Sequence, residues 1–77
     1  MAWSDEPTDM QLGTIFSWLS WKVDRKTAQE AVKWLQNTAT RRDVSAEMNR
    51  LRDLRQKNLL DASNCFSSEI WEGFHHD

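Results

Sequence analysis

RRDVSAEMNRLRDLRQKN, residues Arg41 to Asn58, decides how the rest of the chain is read. Val44, Met48, Leu51 and Leu54 recur at spacings of four, three and three, which lines them along one side of a helix. Ser45, Asn49, Arg50, Asp53, Gln56 and Lys57 fall on the other side, and all of them hydrogen-bond or carry charge. Asp43 is the expected N-cap, because its carboxylate can accept from the free amides of the first turn. Asn58 is the expected stop, since asparagine tolerates the left-handed conformation just past a helix end. A basic helix with a polar face and an apolar back fits the reading of nucleic acid. The plain alternative is a solvated amphipathic helix.

Upstream, Thr27-Ala28-Gln29-Glu30 has the pattern of a capping box and opens a helix whose stripe is Ala28, Ala31, Val32 and Leu35. The two alanines let another helix come close, and Asn37 is the expected terminator. Asn37 to Arg42 then forms a polar link without Gly or Pro. Earlier still, Thr8-Asp9-Met10-Gln11 is a second such box. It begins a helix running to about Lys22, with Leu12, Ile15, Phe16, Leu19 and Val23 along its stripe and Gly13 weakening it slightly. Trp18 and Trp21 lie off that stripe. They either widen the core, which is the simpler reading, or form an aromatic patch for a partner. Residues 1–7 are expected to be a mobile lead-in that only Trp3 would anchor.

Downstream, Leu59 to Ser63 and Ser68 to Phe74 are expected to pair as a β-hairpin around a turn at Asn64 to Ser67. Glu69, Ile70, Glu72 and Phe74 alternate polar with apolar, and Ile, Trp and Phe favour strands. A short last helix with Ile70, Trp71 and Phe74 on one side competes with that expectation. Residues 75–77, His75-His76-Asp77, read as a tail rather than a metal site.

Seventy-seven residues make one domain, and 39% hydrophobic content is too apolar for a disordered segment. Five Trp and three Phe supply enough ring surface for a small core without disulfides or metal. The single cysteine, Cys65, excludes an internal disulfide and points to a reducing, cytoplasmic setting. Met1 to Pro7 is short and acidic, unlike a secretory signal, and no apolar run approaches the ~20 residues of a membrane span. The net charge of −2 hides an asymmetry: all ten Lys and Arg lie between Lys22 and Lys57, with five acids among them, while the flanks hold only acids. A basic middle between acidic ends is able to steer a polyanion toward one surface.

The segments TAQEAVKWL (27–35), DVSAEMNRLRDLRQKNLL (43–60) and SEIW (68–71) together resemble the winged helix-turn-helix superfamily over residues 8–74. The resemblance implies a mainly α fold, a three-helix helix-turn-helix core with a short C-terminal β-hairpin wing. Asn58 stands where that superfamily most often has Gly. Two departures are visible: the link from Asn37 to Arg42 exceeds the usual tight turn, and the wing carries Asp61, Glu69 and Glu72 but no Lys or Arg. The function implied is a small DNA-binding transcriptional regulator that places helix 43–58 in the major groove. Ser45, Asn49 and Arg50 would then face base edges, an Asn pairing with adenine and an Arg with guanine. Arg41, Arg42, Arg25 and Lys26 would meet phosphates near helix starts. Arg52, Gln56 and Lys57 complete the expected interface, with Arg55 close enough to the apolar stripe to snorkel from it. Met10, Trp18 and Trp21 are the expected surface for a homodimer or protein partner.

The principal rival is a protein-interaction module (an inhibitor, adaptor or phage-type accessory protein) using exposed tryptophans and acidic surfaces. An enzyme finds little support. Cys65 has no CxxC partner and no nearby His, and Gly13 and Gly73 are isolated, so no phosphate loop exists. No cofactor or metal is expected.

Overall fold

In the computed structural model, which describes residues 5–74, three α-helices are followed by an irregular segment that closes over them. Helix α1 spans Asp9–Leu19, α2 Arg25–Thr38 and α3 Arg41–Gln56, and a single 3₁₀ turn occupies Glu69–Trp71. Helix α1 packs on both α2 and α3. The helical core matches expectation. The β-hairpin wing does not form: no strand occurs among the described residues.

The box at the start of α1 is present in both directions. Thr8 Oγ1 accepts from the Gln11 amide at 3.1 Å, and Gln11 Oε1 accepts from the Thr8 amide at 3.0 Å. The helix stops at Leu19, short of Lys22, and buries Leu12, Ile15 and Leu19. The second box, at Thr27, is not formed as one. Helix α2 starts earlier, behind Asp24, and Thr27 is buried with its hydroxyl donating to the Asp24 carboxylate. That bond is the main cause of Asp24 titrating below the usual carboxylate range. Ala28, Ala31 and Leu35 are fully buried on the stripe expected.

The link between α2 and α3 is much tighter than the six-residue stretch anticipated, since only Ala39 and Thr40 lie outside the helices. Thr40, not Asp43, is the cap of α3. Its hydroxyl accepts from the Asp43 amide at 3.1 Å, while Asp43 Oδ2 accepts from the Thr40 amide at 3.1 Å. The expected stop holds: Asn58 adopts φ 60°, and the Leu59 amide reaches back to the Leu54 carbonyl at 2.8 Å.

Residues 59–74 fold as successive tight turns instead of a hairpin because their backbone bonds are local. Cys65 N bonds Asp61 O, Trp71 N bonds Ser68 O, and Phe74 N bonds Trp71 O. Asp61 fixes the first turn, its Oδ1 accepting from the amides of Ser63 at 2.8 Å and Asn64 at 3.2 Å. The Ser63 hydroxyl also donates to it and is the leading reason its carboxyl titrates low. Trp34, Phe66, Trp71 and Phe74 form one ring cluster, with centroids 4.9 to 5.8 Å apart. Trp34 Nε1 donates to the Ile70 carbonyl at 2.9 Å, so helix α2 takes an acceptor that a strand partner would have used. The short-helix alternative is therefore the nearer one, reduced to the single turn that buries Trp71.

Gly73 ends this segment at φ +92°, and a Cβ there would meet Trp34 Cη2 at 3.3 Å. Gly73→Ala combines left-handed strain with a push on the ring cluster. We expect it to lower stability by about 1–2 kcal/mol, measured by urea denaturation; an unchanged midpoint would show that Trp34 yields freely.

The described part of the lead-in is tied down rather than loose. Pro7 is buried, the Arg41 amide donates to Asp5 O, and Arg41 Nε donates to Glu6 O at 3.3 Å. Trp3 and residues 75–77 lie outside the described residues.

Candidate nucleic-acid interface

With Val44, Glu47 and Leu51 buried beneath it, α3 turns a continuous stripe outward. Arg42, Ser45, Asn49, Arg52 and Gln56 follow one another at steps of three and four, and every one is exposed. Arg41, Arg42, Ser45 and Asn49 line a shallow depression of about 590 Å³ at the start of this stripe, together with Asp5 and Gln11. Arg52 Nη1 donates to Asn49 Oδ1 at 3.3 Å, a long surface bond that holds the amide beside a guanidinium. Lys57 is exposed at the helix end and paired with Asp53 at 3.0 Å. Such a solvated pair gives way easily to a competing anion.

Arg50 does not belong to this surface. Its guanidinium is turned the other way: Nε donates to Glu47 Oε1 at 3.0 Å and Nη2 to Glu47 Oε2 at 2.6 Å. It also binds the carbonyls of Asn64 at 3.0 Å and Cys65 at 2.8 Å, and the Ser67 hydroxyl at 3.3 Å. A base edge would have to break all of these bonds. Arg50 is a staple between α3 and the C-terminal segment, not a reader of guanine.

Glu47, which the sequence reading passes over, is the centre of that staple. It is only 4% exposed, and besides Arg50 it accepts from Ser68 Oγ at 2.7 Å and Trp71 Nε1 at 2.7 Å. A buried carboxylate is tolerable only when paired and hydrogen-bonded, as here. The signal lies in the spacing. Val44, Glu47, Leu51 and Leu54 run three, four and three apart, so the acid stands on the apolar stripe with an arginine three residues on.

Arg41 is partly spent on the lead-in through the Glu6 carbonyl, while Arg25 and Lys26 stand exposed in the first turn of α2, on a different element from the stripe. Of the surface assigned to a partner, Met10 is 82% exposed and Trp21 78% exposed. Trp18 is half-buried beneath Arg55, whose Cζ lies 5.0 Å from the ring centroid. The two tryptophans thus divide: one extends the packing, and the other stands in solvent.

Cys65 is buried, and that burial raises its pKa, so the thiol is a poor nucleophile. No group of three or more His, Cys, Asp or Glu is placed to hold a metal ion among the described residues, and no helix there is long and apolar enough to cross a membrane. Comparison of the chain with family models, with curated proteins and with solved structures found no match.

Proposed function

We propose that this chain is a small duplex-DNA-binding regulator that lays the outer stripe of α3 in the major groove. The observation that carries the reading is the exposure of Arg42, Ser45, Asn49, Arg52 and Gln56 on one line while the apolar back of the helix is locked in the core. The two-residue link before α3 and the left-handed Asn58 after it support a helix-turn-helix geometry. In this reading Asn49 reads a base edge, Ser45 and Gln56 flank it, and Arg42, Arg52, Lys57 and Arg41 meet phosphates. Arg25 and Lys26 add to the field. With no basic wing among the described residues to grip a second groove, the affinity of each chain rests on α3.

The test is a salt titration of binding to random-sequence duplex, run beside a sizing measurement. Four phosphate contacts give a slope of log affinity against log salt of roughly −3 to −4. A flat response would sink the proposal. The exposure of Met10 and Trp21 favours a second reading, a protein contact or homodimer through α1. That contact would tolerate salt and weaken when Met10 is replaced by Ala.

A further inference from the structure

The last turns of α1 and α3 and the residues just after them line a cleft of about 340 Å³ between Trp18, Trp21, Lys22, Arg55, Gln56 and Asn58, with the buried Leu60 also lining it. This is near the lower end of the range for small-ligand sites, about 300–1,000 Å³. It meets the outer stripe of α3 only at Gln56. Its chemistry is unusually one-sided: two cations and two primary amides line it with two indoles, and no carboxylate does. Arg55 Cζ lies 5.0 Å from the centroid of the Trp18 ring, so the cation rests against one indole of the cleft. No described residue accepts a hydrogen bond from that side chain or pairs with it. Trp21 offers a bare ring beside it, 78% exposed. Asp61 is near enough to feel Lys22, but its carboxylate is already taken up by Ser63 and Asn64.

We infer that this cleft binds a nucleotide unit, with a base stacked on Trp21 and its phosphate held by Arg55 and Lys22. Gln56 and Asn58 each present a donor and an acceptor to the base edge. A flat ring joined to an anion is the ligand this combination fits, and indole stacking with cationic backing is how single strands are held without sequence preference. The inference does not depend on the duplex reading, with which it shares only Gln56.

The experiment is fluorescence anisotropy of a short fluorescein-labelled oligothymidylate on the full chain, with unlabelled adenosine 5′-monophosphate as competitor. We expect Trp21→Ala and Arg55→Ala each to weaken strand binding roughly tenfold, within what one base–indole stack contributes, while Trp21→Phe retains most of it. Competition by the monophosphate at similar concentration identifies a free-nucleotide site, and competition by oligomer alone identifies a single-strand site. Both outcomes support the inference. The Arg42→Ala, Arg52→Ala double variant should keep strand affinity to within about threefold. A collapse of strand binding in that variant would overturn the inference by moving the strand onto the outer stripe of α3. No strand binding by the native chain, or no effect of Trp21→Ala, would overturn it too. Trp21 is solvent-exposed, and an unchanged thermal melt of Trp21→Ala keeps a loss of binding from being mistaken for a loss of fold.

Discussion

Replacing Glu47 with Ala should cost about 3 kcal/mol of stability or more, the low end of what breaking a buried ion pair costs because Arg50 keeps some access to water. A chain of this size has only roughly 4–12 kcal/mol in total, so the melting temperature should fall by about 12–24 °C. The effect has several parts. Arg50 is left without its counter-charge, while Ser68 Oγ and the buried Trp71 Nε1 are left without an acceptor. Glu47→Gln keeps an acceptor while removing the charge, and should fall between the two. A double replacement of Glu47 and Arg50 by Met tests whether the pair is only an ion pair. Apolar substitution often restores stability in such cases. Here it should not, because Arg50 also satisfies the carbonyls of Asn64 and Cys65. Near-ultraviolet circular dichroism during urea unfolding, to which the packed rings of Trp34 and Trp71 contribute, reads all three variants. A decrease below about 1 kcal/mol for Glu47→Ala would mean that the rings alone hold the C-terminal segment.

On the other side of α3, removing Arg42 and Arg52 together should reduce the salt slope of duplex binding by about 2, close to one for each phosphate no longer neutralised. Affinity should drop for every sequence alike. Asn49→Ala should act differently, relaxing preference at one base pair by about 1–3 kcal/mol while leaving the slope unchanged. The bond from Arg52 to Asn49 gives the two sites a coupling that can be measured. If Arg52 positions the amide, the double variant will also blunt discrimination. Arg50→Ala is unsuitable for this test, since it dismantles the staple and confuses unfolding with weakened binding. Equal slopes for the native chain and the Arg42, Arg52 variant would remove the outer stripe of α3 from the duplex interface.

The three helices are legible in the sequence because their apolar spacing is regular and their ends carry recognisable chemistry. Thr8 with Gln11 and the left-handed Asn58 lie where the sequence indicates. The starts of α2 and α3 are harder to place because each has competing polar residues close together. Asp24 and Thr27 both suit a cap, as do Thr40 and Asp43; Asp24 takes the N-cap position without a side-chain cap bond, while Thr40 and Asp43 share one reciprocal box. The C-terminal segment departs from expectation for a deeper reason. Alternation at Glu69 to Phe74 signals a two-faced strand only if the backbone finds a neighbouring strand. Trp34 and Arg50, distant in sequence, take the carbonyls of this segment with side chains instead. Arg50 resembles a surface cation for the same reason. Several of its partners are backbone atoms, and no residue type advertises them. The outer stripe of α3 is legible apart from Arg50, while the cleft at Trp21 needs the end of α1 and the end of α3 brought together.

The staple also sets an order of events for the nascent polypeptide. Glu47 waits for Ser68 and Trp71, and Trp34 waits for Ile70. While these residues are still inside the ribosomal tunnel, the emerging helices carry a charge aimed at a core that has not yet closed. Closure of the core therefore waits on residues 64–71, which act as the latch of the domain.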